Sequence, residues 1–490
     1  MRLRNAMLQS IAQQNICTLL SFAAGVVVAR LLSPHEVGLY AVSLAAMNVA
    51  SAIKDFGISS YVISHPKPDD TLLKAAFGLT LAIAILLALG FIALSWPLAR
   101  FYGDPSLGPV LRIVALGQLA AQVTFPATVL ITRDMRFDIL FFVGLASVTF
   151  QGLVSVWLGL TGFGSSALAW GYVAGGVAGA GVALLARPRS IRIAPSLVGS
   201  RRLLRFGGWM SSTLFVSAAA MSMPEMLIGR VLGLGEAALF SRAQNIVSII
   251  RNGLFFAMMR PMLPKLGALE GQKLSLAPIY LRVIESVTGF AWPAYALLAI
   301  WAEPLVRAIY GPAWSGAAAL IPPLALAHSL TLAIAPHYDI LIVKRRAALL
   351  FACEFGLFVA ALLALAWAVP HGLRPGAWAL AAIGALFAFT FFAVLKSIVG
   401  FSAEQLAGVW VRSLLLTVAV APPAMLVRNL APDSAIGAIV GCAASGLLAA
   451  AIWVAAIRLL GHEIEGHIAP ILARFMPGLK AAPAKNGAGP

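Results

Sequence analysis

Charge is scarce in this sequence. Asp, Glu, Lys and Arg make up 11% of its 490 residues, where a soluble domain carries about 25%. Acidic residues are fewest, with 18 Asp and Glu against 35 Lys and Arg. Cysteine is also sparse. Cys17, Cys353 and Cys442 lie far apart in separate apolar runs, which excludes a disulfide framework and a C-x-x-C metal site and leaves them as small buried hydrophobes. Long polar segments are missing, so no soluble catalytic domain is inserted anywhere. There is no Walker A loop to hydrolyse ATP and no Ser/His/Asp grouping on a loop. The remainder is apolar: 61% of residues are hydrophobic and the mean hydropathy is +0.92. A soluble fold cannot bury that much apolar surface, so soluble enzymes, coiled coils, secreted scaffolds and disordered chains are excluded. The apolar runs are continuous rather than alternating, which selects membrane helices over a β-barrel. The expected class is an all-α polytopic membrane protein with about 14 transmembrane helices.

Fourteen apolar segments fall at 8–32, 37–63, 72–95, 108–131, 138–160, 164–186, 207–232, 237–263, 279–302, 314–343, 347–369, 376–400, 408–430 and 435–460. Met1-Arg2-Leu3-Arg4 is a basic start, but Gln13, Gln14 and Asn15 interrupt the first apolar run. The expectation is a retained first helix rather than a cleaved signal peptide. The largest polar interruption, 187–206, holds six arginines and divides an N-terminal lobe, 1–186, from a C-terminal lobe, 207–400. Two further helices occupy 401–460, and 461–490 is a cytoplasmic tail whose end is rich in Gly, Ala, Pro and Lys.

Topology follows from basic residues, which stay on the cytoplasmic side. With the N-terminus in the cytoplasm, 25 of the 35 Lys and Arg fall on cytoplasmic segments and 8 on the opposite side. Lys54 and Arg251 are left inside apolar segments. Both termini are therefore expected in the cytoplasm.

The halves echo each other. Ala29-Arg30-Leu31-Leu32 with Glu36 and Leu39-Tyr40 matches Gly229-Arg230-Val231-Leu232 with Glu236 and Leu239-Phe240. The run from Asn48 to Asp55 matches the run from Asn245 to Asn252, and Pro97 to Gly103 matches Pro304 to Gly311. Three echoes in one order, at a near-constant offset, indicate a six-helix repeat. An even number of spans gives both lobes the same orientation, so their pseudo-two-fold axis runs along the membrane normal.

An ionisable residue inside a span costs several kcal/mol (about 3 for Lys, Arg or Asp at a helix centre) and faces a cavity or a partner. Lys54 and Asp55 sit together in the second segment, and Arg251 and Asn252 echo them. One reading is local neutralisation or snorkelling toward the cytoplasm; the other is a cationic lining on facing walls of a cavity. Arg30 and Arg230 each precede a Glu by six residues, which fits either a rim ion pair or a cavity role. Arg242 lies inside the eighth segment with Glu236 the one acid near it in sequence. Its planar donors suit phosphate oxygens. His328 and His337 read as packed histidines or proton carriers. Gly175-x-x-x-Gly179 reads as close packing. His462-Glu463-Ile464-Glu465-Gly466-His467 spaces its histidines five apart rather than four and reads as a solvated turn, so no metal site is expected.

Ala29-Arg30-Leu31-Leu32-Ser33-Pro34-x-Glu36-x-Gly38-Leu39-Tyr40, followed by Asp55-Phe56-Gly57, resembles the opening of the polysaccharide transporter family. Leu239-Phe240-Ser241-Arg242-Ala243 and Arg260-Pro261-Met262-Leu263-Pro264 resemble that family's eighth-span signature. The family holds the O-antigen, capsule and exopolysaccharide flippases, within the superfamily of multidrug, oligosaccharidyl-lipid and polysaccharide exporters. The resemblance implies no enzyme. It implies a flippase that moves a polyprenyl-diphosphate-linked oligosaccharide from the cytoplasmic to the periplasmic leaflet of a bacterial inner membrane, by alternating access. Lipid II flippases and cation-coupled drug antiporters of the same superfamily are the alternatives. By similarity to the lipid II flippases, Arg30, Lys54 and Arg242 match cavity cations near the end of helix 1, within helix 2 and within helix 8. Lys54 keeps the charge without the guanidinium fork, and Asp55 falls near an acidic position. With Arg251 these form the expected substrate-binding set; mainly basic residues point away from cationic drugs. Implied partners are the lipid-linked oligosaccharide, membrane lipids, a polysaccharide polymerase and glycosyltransferases, with no nucleic acid. No cofactor is implied beyond a coupling proton or sodium ion whose site the sequence does not name.

Overall fold

The computed structural model describes residues 2–55, 58–65, 69–187, 190, 193–255, 262–272, 274–432 and 434–460. Among these residues the chain is helical, with no strand. The helices are α1 (Arg2–Leu31), α2 (Pro34–Asp55), α3 (Ile58–Ser64), α4 (Asp70–Tyr102), α5 (Leu107–Gln122), α6 (Phe125–Arg133), α7 (Phe137–Leu160), α8 (Ser165–Ala186), α9 (Ser200–Val231) and α10 (Leu234–Ile250). A π-helical turn, Arg251–Phe255, continues α10. Then come α11 (Met262–Gly271), α12 (Ala277–Ile300), α13 (Ala302–Tyr310), α14 (Ser315–Ala318), α15 (Ile321–Leu332), α16 (His337–Val343), α17 (Ala347–Ala368), α18 (Leu373–Val399), α19 (Ala403–Leu430) and α20 (Ala435–Leu460).

Nine stretches among the described residues are long and apolar enough to cross a bilayer: α4, α7, α8, α12, Pro312–Val343, α17 with the turn after it, α18, α19 and α20. The pair α5 and α6, bent by 50°, makes ten if counted as one span. The chain is a multi-pass membrane protein. Fourteen segments are expected from hydropathy, and the difference is α1, α2, α9 and α10. Among the described residues α1 contributes Ile16–Leu31 as a shorter apolar helix, and α10 is 17 residues long before its π turn. Outward side chains of the apolar helices are themselves apolar: Leu86 is 69% exposed, Leu185 81% and Trp367 74%. Only a hydrocarbon solvent makes such a surface stable.

Helix ends follow local chemistry. Ser33-Pro34-His35-Glu36 is a capping box, with proline at the first helical position of α2. The Ser33 backbone N–H and hydroxyl both donate to Glu36 Oε2 at 2.8 Å, and the Glu36 N–H donates to Ser33 Oγ at 3.3 Å. Ser402 and Gln405 form the same box at the start of α19. Asp69 caps α4 by accepting from the Leu72 N–H at 2.9 Å.

Close packing divides the chain into two units. The first holds residues 1–242, with 310–317 and 354–376. In it α7 packs along α8, α1 on α7, α5 on α4 and α8, and α2 on α9. Gly175 permits the α7–α8 contact, since a Cβ there would stand 2.6 Å from the Ser147 carbonyl oxygen. The second unit holds 243–309, 318–353 and 377–490. Here α12 packs against α15 and α19, and α19 against α20. Indole N–H groups tie these helices: Trp410 donates to Ala333 O at 3.1 Å and Trp453 to Gly289 O at 2.7 Å. Such bonds satisfy carbonyls that lipid cannot. Cys17, Cys353 and Cys442 form no disulfide among the described residues, and each is partly buried.

Candidate functional site

Arg242 lies on α10, two turns beyond the start of that helix, in the first unit. Its guanidinium carbon stands 5.6 Å from the centre of the Trp314 ring and 5.8 Å from that of Tyr310, within cation–π range of both. Trp314 is 1% exposed and donates its indole N–H to the Ala29 carbonyl at 2.8 Å. Tyr310 meets the edge of Phe22 with ring centres 6.2 Å apart. A short aromatic segment, 310–314, is thus fixed against the last turns of α1. Gly25 on α1 leaves room for the arginine: a Cβ there would lie 3.3 Å from the Arg242 Nη1. The Arg242 Nε is buried and has no hydrogen-bond partner among the described residues.

Two further groups complete the surroundings. Tyr40 of α2 is buried and interacts electrostatically with Arg242. Glu225 of α9 interacts electrostatically with Arg242. The sequence offers Glu236 as the acid for this arginine; the folded chain offers Glu225. The missed signal is the α9–α10 hairpin. Glu225 and Ser241 stand eight residues before and after Gly233, so an antiparallel pair sets them side by side. From Tyr40 a polar chain continues through Tyr172, whose hydroxyl donates to Gln118 Oε1 at 3.0 Å, and Gln118 in turn donates to Ser51 Oγ.

Arg30 ends α1 one residue beyond the carbonyl that Trp314 holds, and its side chain is exposed. The backbone next to Arg30 and the Arg242 side chain thus both meet the 310–314 segment. Glu36, the rim partner that the six-residue spacing offers Arg30, serves as the α2 cap. Arg230 ends α9 with its guanidinium 4.6 Å above the Phe101 ring. The neighbouring Tyr102 hydroxyl donates to the Met226 carbonyl at 3.1 Å. An aromatic segment thus grips each arginine-bearing helix end: Tyr310 to Trp314 at α1, and Phe101 and Tyr102 at α9. Phe101, Tyr102 and Tyr310 fall within the third echo, and Trp314 lies just beyond it. The side chains of Lys54 and Asp55 lie outside the described residues, as do the residues from His462 to His467.

Arg251 belongs to the second unit, at the start of the π turn, and is partly buried. It interacts electrostatically with Tyr295 and His328. His328 is a packed histidine: Nε2 lies 3.1 Å from Gln244 Nε2 and the ring stacks on Tyr295 with centres 6.2 Å apart. His337 is wedged between Phe387 and Phe391, at 4.9 and 4.5 Å.

Arg242 presents fixed, partly unsatisfied donors in an apolar setting, a chemistry suited to anionic oxygens. Succinoglycan biosynthesis transport protein ExoT of Rhizobium meliloti (strain 1021) is 28% identical over 63% of this chain and 62% of its own length. The chain thus spans less than two thirds of that relative. Lipopolysaccharide biosynthesis protein WzxC of Escherichia coli (strain K12) is 22% identical over 66% of this chain and 67% of its own. Among solved structures, the lipid II flippase MurJ in an inward closed conformation superposes with a TM-score of 0.73 at 12% identity, over 92% of this chain and 99% of that one. That likeness concerns the fold. Residues 27–319, well over half of the chain, match the family model described as polysaccharide biosynthesis protein. The chain belongs to the polysaccharide biosynthesis protein family.

Proposed function

We propose that the protein is a flippase that carries a polyprenyl-diphosphate-linked oligosaccharide from the cytoplasmic to the periplasmic leaflet of a bacterial inner membrane. The observation that carries this reading is Arg242, a cation inside an apolar fold, held against Trp314 and Tyr310 with a buried Nε left unpaired. In a chain of this family, a diphosphate is the anion that such a group awaits. Arg30, Lys54 and Arg251 add positive charge, and Asp55 tunes Lys54. In this reading α1, α2, α9 and α10 also cross the bilayer. That gives fourteen spans, with two six-helix lobes, 1–186 and 207–400, related by an axis along the membrane normal and both termini in the cytoplasm. Their polar content then faces a central path rather than lipid. The headgroup enters from the cytoplasmic side, the glycan stays in water, and the polyprenyl tail stays in hydrocarbon. An interior-negative potential favours outward movement of the anion by about 2.3 kcal/mol per charge per 100 mV. Glycosyltransferases supply such a substrate, and a polymerase consumes it.

The fold likeness to the lipid II flippase MurJ favours one second reading, lipid II as cargo. Liposomes holding the purified protein separate the possibilities. Fluorescent polyprenyl-diphosphate oligosaccharide, lipid II and a cationic dye are supplied in turn, and arrival in the opposite leaflet is measured. Movement of the oligosaccharide lipid supports the proposal. Movement of lipid II alone selects the second reading, and movement of the dye alone overturns both.

A further inference from the structure

A cavity of about 330 Å3 opens within the second unit, between α12, α15 and α19. Its walls include Trp292, Tyr295, Leu326, Ser329, Leu414 and Thr417, and no Asp, Glu, Lys, Arg or His lines it. Leu326 and Leu414 are 43% and 52% exposed, so the mouth opens toward hydrocarbon. None of the residues assigned to the cargo belongs to this wall.

Tyr295 brings to the wall a polar group with no task. The Trp292 indole N–H is spent on the Ser329 carbonyl at 3.0 Å, and the Thr417 hydroxyl on the Ser413 carbonyl at 3.0 Å. Tyr295 is 2% exposed, and its hydroxyl is buried without a hydrogen-bond partner among the described residues. Arg251 acts on it through charge, without a hydrogen bond. The ring itself is fixed. It stacks on His328 with centres 6.2 Å and planes 19° apart, and His328 Nε2 lies 3.1 Å from Gln244 Nε2 on α10. A phenol held in this way does not turn to seek another acceptor. A buried donor without one is costly in a medium that offers no water.

We propose that this cavity binds the ring of a neutral quinone drawn from the membrane, with a quinone carbonyl accepting from the Tyr295 hydroxyl. Three features select that chemistry. The wall carries no charge, which excludes phosphate headgroups, the diphosphate cargo and cationic drugs. The free hydroxyl calls for an acceptor, which a bare hydrocarbon chain lacks. The volume lies at the small end of the range for ligand pockets, about 300–1,000 Å3, which admits a substituted ring and not a glycan. The Trp292 indole offers that ring an aromatic neighbour, and an apolar tail leaves past Leu326 and Leu414. The larger groove along α7 and α8 has no hydroxyl, amide or charged side chain to orient a ligand.

The test is photolabelling of the purified full-length protein in nanodiscs with an azido-substituted decylubiquinone, followed by peptide mass spectrometry. Phospholipid is in excess there, so an acyl chain that prefers the cavity already occupies it and no label appears. The wild type is expected to show saturable label on the stretches of α12, α15 and α19 that line the cavity. Unlabelled decylubiquinone displaces it about tenfold better than decylbenzene, which has a ring and a tail but no carbonyl. Tyr295→Phe keeps a ring on His328 and removes the hydroxyl. It is expected to weaken decylubiquinone about tenfold and to leave decylbenzene unchanged. Ala299→Leu fills the cavity with the hydroxyl in place and is expected to lower the label as well, which keeps the test open should Tyr295→Phe fail to fold. Absence of label, or label spread without saturation over the exposed apolar helices, overturns the site. Equal displacement by the two competitors, or an unchanged preference in Tyr295→Phe, overturns the hydrogen bond that defines the ligand. The flippase reading survives each of these results.

Discussion

Arg242 stands at the centre of the candidate site, and its neighbours set the effect of its loss. Trp314 and Tyr310 flank the guanidinium, and Gly25 clears its path toward α1. A charge-assisted hydrogen bond to a buried anion is worth about 1.5–3 kcal/mol. Arg242→Ala is therefore expected to weaken binding of a prenyl-diphospho-sugar by about 10- to 100-fold, with the melting temperature little changed. Arg242→Lys recovers part of that affinity, since it keeps the charge and loses the fork. Equal binding by wild type and Arg242→Ala would contradict the assignment. Glycines give a stability test with opposite signs. A Cβ on Gly38 of α2 runs into the Leu234 carbonyl, so Gly38→Ala forces backbone apart and costs about 1–3 kcal/mol. A Cβ on Gly90 of α4 meets nothing within 4 Å, so Gly90→Ala gains about 0.5–1 kcal/mol of helix stability. Thermal unfolding in detergent reads both.

At the scale of elements, helix ends carry the predictions. Ser33 and Ser402 each close a capping box, and replacing either by Ala removes a bond to an otherwise orphaned N–H. Each change is expected to lower stability by about 1 kcal/mol in thermal unfolding. Trp314→Phe keeps a ring under Arg242 but leaves the Ala29 carbonyl without its indole donor. It should loosen the end of α1, seen as faster hydrogen exchange at residues 28–32, while binding of a diphosphate falls less than in Arg242→Ala. Much at this scale is legible in the sequence. The echo at Ala29 and Gly229 ends both α1 and α9, with breaks at residues 32–33 and 232–233. The echo at Pro97 and Pro304 ends in Gly103 and Gly311, both at positive φ after a helix. Other features are not legible. Trp314 reaches Ala29 across 285 positions, and no periodicity reports a contact that long-ranged. The bend of 50° between α5 and α6 follows Val123 and Thr124 within an unbroken apolar run, so hydropathy reads it as one straight segment. Glu225 escapes a hydropathy reading because one acid in a long helix does not disturb an apolar window. Glu36 reads first as a charge, although its spacing from Ser33 marks a cap.

Across the whole molecule, the physics is that of a chain turned outward to lipid. Trp157 and Trp367, 65% and 74% exposed among the described residues, sit on apolar helices. Brominated acyl chains are expected to quench their fluorescence, and to spare Trp301 and Trp314, each 1% exposed. Equal quenching of the four would contradict the lipid-facing assignment. A groove of about 770 Å3 between α7 and α8, lined by Phe150, Trp170 and Leu185 among others, belongs to the same lipid-facing surface. In the proposed reading, α1, α2, α9 and α10 line the path of the cargo. The most direct test of that division is flipping itself, in liposomes with the purified chain and a fluorescent polyprenyl-diphosphate oligosaccharide. Wild-type protein is expected to move the lipid between leaflets, with a loss of at least tenfold in Arg242→Ala and none in Gly90→Ala. Equal movement in wild type and Arg242→Ala would contradict the claim that this arginine carries the diphosphate.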